Sequence, residues 1–91
     1  MSEFEQYAKA LEAKGKAFAE SITQEQQLDL YGLYKQATVG DINIPKPSSW
    51  SLSGWGKDAY KWDAWNKKAG ISQDDAKEAY VALCQELGVT L

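Results

Sequence analysis

An all-α fold, four helices packed as a small bundle, is what this chain predicts, on three observations. Apolar residues recur at helical spacing in four segments, hydroxyl N-caps precede three of them, and no segment alternates as a strand would. The 91 residues suffice for one domain, 1–91, with a single modest core.

Each element has its own signals. Ser2 with Glu5 forms a capping-box pair for the first helix, which carries Phe4, Tyr7, Ala8, Leu11 and Phe18 at helical spacing. Gly15 occupies the next position of that stripe, and Ser21 to Thr23 close the helix. Thr23 with Gln26 caps a second helix running through Leu28, Tyr31 and Tyr34 to Ala37 or Thr38, where Val39-Gly40-Asp41 ends it. Pro45, Pro47, three serines, Gly54 and Gly56 make the stretch from Asn43 to about Asp58 a loop, with Trp50 and Trp55 to pin it. A loop of that length often carries function. A third helix is expected over Asp58 to Lys68, with Trp62, Trp65 and Ala69 on its apolar face and Gly70 as its stop. Ser72 with Asp75 caps the fourth, whose expected buried stripe is Ala76, Ala79, Tyr80, Leu83, Cys84 and Leu87, closed by Gly88.

Composition removes several classes of function. Without histidine the chain lacks the usual general base and the commonest metal ligand, so neither catalysis nor a metal site is expected. All ten cationic side chains are lysines, so any phosphate must be met by point charges and phenol hydroxyls, not by guanidinium forks. A net charge of −3 argues against non-specific nucleic-acid binding. The longest apolar run, Ala79 to Cys84, is far short of the ~20 residues a membrane span needs. With no secretory signal pattern and a single Cys84 that has no partner for a disulfide, the expected location is the cytoplasm.

One stretch points towards a ligand. Tyr31, Tyr34 and Lys35 stand at i, i+3 and i+4, so two rings and an ammonium share a helix face. Such a face suits a phosphorylated nucleotide; it equally suits core packing beside a solvated lysine.

A longer pattern surrounds these residues. Tyr34-Lys-Gln-Ala-Thr-Val-Gly-Asp-Ile-Asn43, then Pro47, then Lys61-Trp-Asp-Ala-Trp-Asn66, then Ser72, Asp75-Ala76 and Ala79-Tyr80 resemble the acyl-CoA-binding protein family. The match runs from about Leu30 to Leu87, and before Leu30 only a helical pattern is shared. The resemblance implies a four-helix up-down-down-up bundle that binds fatty acyl-CoA thioesters. By position, Tyr31, Tyr34, Lys35, Lys61 and Tyr80 stand where the family holds the CoA head group. Tyr34 would stack on adenine, Tyr31, Lys35 and Lys61 would surround the 3′-phosphate, and Tyr80 would close the site. Lys14 or Lys16 would approach the phosphates, and Tyr7, Leu11 and Leu28 would supply an apolar groove. The loop from Ile44 to Tyr60 is about four residues longer than the family's pattern leads one to expect.

The implied function is a non-enzymatic, monomeric carrier and pool former for medium- and long-chain acyl-CoA. It would deliver acyl-CoA to lipid enzymes, need no cofactor, and touch membranes at most transiently. The alternative, from the residues themselves, is a helical protein-interaction module that docks a partner through the Trp-rich loop 48–60.

Overall fold

The computed structural model describes residues 2–43 and 57–91. It contains four helices, α1 (Glu3–Ser21), α2 (Gln24–Thr38), α3 (Lys57–Asn66) and α4 (Gln73–Glu86), and no strand among the described residues. The all-α four-helix expectation therefore holds. The Trp-rich part of the loop, including Trp50 and Trp55, lies outside the described residues; Tyr60, counted with that loop, stands on α3 and is 55% exposed.

The caps hold the helix starts as their chemistry requires. Ser2 Oγ accepts from the Glu5 N–H at 3.2 Å and Ser72 Oγ from the Asp75 N–H at 3.1 Å. At α2 the capping box is complete: Gln26 N–H donates to Thr23 Oγ1 while Thr23 N–H donates back to Gln26 Oε1. Each such cap satisfies backbone donors that the helix leaves open, worth about 1 kcal/mol. At the far end of α4, Gly88 takes φ 90° so that its own N–H meets the Gln85 carbonyl and Val89 N–H meets the Cys84 carbonyl. That double bond pattern turns Val89 back into the core, where it is 1% exposed.

Helix α2 is the centre of the packing, lying against both α3 and α4, while α1 packs chiefly on α4. Phe4, Tyr7, Leu30, Leu33, Ala37, Ala76, Tyr80 and Cys84 make the shared core. The α2–α3 crossing is close at Gly32, where an added Cβ would stand 2.4 Å from the Ala64 carbonyl oxygen.

Two expectations need correction. Ala79 is exposed, because the buried line of α4 runs through Ala76, Tyr80, Val81 and Cys84, and Ala79 lies about 100° away from Tyr80 around the helix. Helix α3 ends at Asn66, not Lys68: the amides of Lys68 and Ala69 fold back on the carbonyls three residues earlier, leading into Gly70 at φ 91°. Ala69 is accordingly exposed, while Ala64 and Trp65 are buried.

A polar knot fastens the end of α2 to the start of α4. Buried Gln36 donates through Nε2 to Asp41 Oδ1 at 2.8 Å and to the Ile71 carbonyl at 2.7 Å. Asp41 Oδ1 also accepts from the Gly70 N–H at 2.9 Å, and Trp65 Nε1 donates to the Gly40 carbonyl at 2.8 Å. These bonds hold α2, α3 and α4 in register beside the residues that matter for a ligand.

Candidate functional site

Between α1 and α2 lies an open cleft of about 300 Å³, at the lower end of the range for small-molecule sites. From α1 come Leu11, Gly15, Phe18, Ala19 and Ile22; from α2 come Gln27, Leu30, Tyr31 and Tyr34; Tyr80 of α4 also lines it. The lining is almost wholly apolar or aromatic, and α1 leaves room for it by leaning on α4.

At about 100° per residue, the α2 residues sort into two flanks. Gln27, Leu30 and Tyr34 face the cleft; Leu28 and Lys35 fall on the flank towards α3; Tyr31 sits at the boundary. On the second flank the Lys35 ammonium lies 5.4 Å from the centre of the Trp65 ring, and the Lys61 ammonium lies 5.5 Å from that of Tyr31. Tyr31 therefore lines the apolar cleft and also carries a cation. Lysine–ring contacts contribute roughly 0.5–2 kcal/mol, most where the ring is buried as Trp65 is, enough to bias the ammonium's position and too little to lock it there.

Tyr34 is 43% exposed and borders an aromatic cluster with Phe4 at 5.8 Å and Tyr80 at 6.0 Å between ring centres. Its partly free ring offers a surface for stacking. Tyr80 is 4% exposed; burial pushes its phenol well above the ordinary tyrosine range, so it acts as a neutral hydroxyl at any physiological pH. Cys84, fully buried beside Tyr80, has its thiol pushed up to about 11, again by burial, and is inert as a nucleophile.

The structure thus brings Tyr31, Tyr34, Tyr80 and Leu11 to one cleft and sets Lys35 and Lys61 on its α3 side. Lys14 reaches this neighbourhood too, its ammonium 5.4 Å from the ring of Phe18, whereas Lys16 points to solvent and pairs with Glu20 at 4.0 Å. Two of the residues expected in a groove, Tyr7 and Leu28, do not line this cleft. Tyr7 is buried and accepts a hydrogen bond from Gln85 Nε2 at 3.1 Å, and Leu28 borders a hollow with Gln24, Tyr60 and Lys61. Gly15, Phe18, Ala19, Ile22 and Leu30 line the cleft without having been singled out for it. The spacing of Gln27, Leu30, Tyr31 and Tyr34 was the available signal on α2. Among the described residues no cluster of metal-binding side chains occurs.

Comparison with known proteins places these features in context. The family model described as acyl CoA binding protein matches residues 1–84. The acyl-CoA-binding protein of Saccharomyces cerevisiae is 46% identical over 79 residues, 84% of this chain and 86% of that protein. Acyl-CoA-binding domain-containing protein 1 of Oryza sativa subsp. japonica is 42% identical over 85 residues, 93% of this chain and 85% of that protein. The crystal structure of Oryza sativa acyl-CoA-binding protein 2 superposes with a TM-score of 0.78 at 41% identity, covering 93% of this chain and 86% of that one.

Proposed function

The chain belongs to the acyl-CoA-binding protein family, and on that premise we propose that it binds long-chain fatty acyl-CoA one-to-one as a carrier. The CoA head group lies across Tyr34, Tyr31, Lys35 and Lys61, and the acyl chain runs on along the apolar surface that α2 presents beside them. One observation carries this reading: Tyr31 borders the apolar cleft and sits under the Lys61 ammonium, one helical turn from Lys35. An apolar surface and a cationic edge that share one tyrosine are what a ligand with a fatty tail and a phosphorylated head requires.

The tail supplies most of the affinity. Each methylene taken out of water contributes about 0.8 kcal/mol, so ten of them give about 8 kcal/mol before chain ordering is subtracted. The phosphates select the head through charge-assisted hydrogen bonds from the lysines and the Tyr31 hydroxyl. Adenine stacks on the exposed Tyr34 ring, a contact on the scale of roughly 1–3 kcal/mol. The described residues provide no activated nucleophile, and the carrier works without covalent chemistry or a cofactor. We place it in the cytoplasm as a monomer that hands acyl-CoA to lipid-metabolising enzymes.

Parallel calorimetric titrations with palmitoyl-CoA, CoA and free palmitate test the reading. Tight one-to-one binding of the first with large losses for the other two is expected; equal heats from palmitate and palmitoyl-CoA would remove the head-group site.

A further inference from the structure

The indole of Trp65 is held by the turn that follows Lys35 in sequence. Its ring is 4% exposed, and Nε1–H donates to the Gly40 carbonyl at 2.8 Å. Gly40 is itself bound back to α2, where its N–H and that of Val39 both donate to the Lys35 carbonyl. The Lys35 ammonium then reaches across to the Trp65 ring, 5.4 Å from its centre. Contacts thus run in a closed circuit, from the Lys35 backbone to Gly40, from Gly40 to Trp65, and from Trp65 to the Lys35 side chain. A second link runs parallel to it: Asp41, next to Gly40, accepts from Gln36, next to Lys35, and from the Gly70 N–H just beyond α3.

A long side chain that must be ordered when a ligand arrives lowers affinity. Lys35 is half-buried and rests on a ring that cannot turn, so much of that ordering is already done in the free protein. Because the ring is buried, a phosphate reaches the ammonium from the outer side, with the ring behind it. The ammonium has three donors and can bond the phosphate without leaving the ring. We propose that Trp65 is a positioning residue for the phosphate site: through Lys35, it sets how strongly the 3′-phosphate of the head group is recognised. This rests on the carrier reading above.

The test is the ratio of affinities for palmitoyl-CoA and palmitoyl-dephospho-CoA, by calorimetry, with folding checked by circular dichroism. It is measured on the wild type and on proteins with Trp65 replaced site-specifically by mono-, di- and trifluorotryptophan. Fluorine withdraws charge from the ring face that attracts the ammonium and changes the ring's shape little. The ratio is expected to fall stepwise, by about threefold or more at the trifluoro ring, while binding of palmitoyl-dephospho-CoA changes less than about twofold. In a Lys35→Ala background the same replacements are expected to leave the ratio unchanged. If the trifluoro ring prevents folding, the slope through the mono- and difluoro proteins decides. A packing role alone would weaken both ligands equally, and equal losses overturn the inference, as does a ratio that stays constant or rises with fluorination; the carrier reading then stands. A wild type that binds both ligands equally overturns the phosphate assignment and this inference together, and one that binds neither overturns the carrier reading as well.

Discussion

Lys35 and Lys61 each rest over an aromatic ring, Trp65 and Tyr31 respectively, in contacts weaker than a charge-assisted hydrogen bond to phosphate. Their ammoniums can therefore turn to a phosphate at little cost. Lys35→Ala is expected to weaken palmitoyl-CoA binding by roughly 10- to 100-fold while leaving the helical circular dichroism intact. Asp41 gives a different kind of test. The Gly70 N–H, and after it Gln36, stabilise its carboxylate and hold its pKa below the ordinary 3.8. A lowered folded-state value means the contribution is fully present above the unfolded value and is lost as pH falls below about 4. Urea midpoints at pH 7 and pH 3 should accordingly differ more for the wild type than for Asp41→Asn. Cys84, raised to about 11, is expected to resist iodoacetamide at pH 8 until the protein is unfolded.

At the scale of elements, Gly32 has a measurable consequence. Alanine normally favours a helix over glycine by about 1 kcal/mol, yet a Cβ here meets the Ala64 carbonyl oxygen at 2.4 Å and its carbon at 2.8 Å, both backbone atoms. Gly32→Ala is expected to lose about 1–3 kcal/mol in denaturant unfolding despite the propensity gain, and to weaken acyl-CoA binding by pushing α3 and Lys61 away from α2. The four helices themselves were legible because their signals are local: Thr23 with Gln26, Ser72 with Asp75, and Gly88 each act within one turn. What was not legible depends on distant partners. Gly32 reads as an ordinary helical residue until α3 crosses it, and Gly15 falls on the apolar stripe of α1, where it reads as packing and not as a break. Asp41, read from sequence only as part of the stop to the second helix, accepts from Gln36 and also from Gly70, 29 residues further along the chain. Tyr7 and Leu28 do not line the α1–α2 cleft, because apolar character does not say which neighbour a helix face will meet; the faces are assigned only once α1 leans on α4 and α2 on α3.

Taken whole, the molecule holds an apolar cleft on one side of α2 and a cationic edge on the other, with Tyr31 joining them. On the carrier reading, the chain is expected to sediment as a monomer with and without palmitoyl-CoA. That the cationic edge receives the 3′-phosphate of the head group is the central claim, and a double-mutant cycle reads it most directly. Palmitoyl-CoA and palmitoyl-dephospho-CoA, which lacks the 3′-phosphate, are titrated into the wild type and Lys35→Ala. If Lys35 meets that phosphate, removing it weakens wild-type binding by at least about tenfold and costs Lys35→Ala markedly less. Equal losses in the two proteins would show that Lys35 and the 3′-phosphate do not interact, and would contradict the assignment of the cationic edge to the head group.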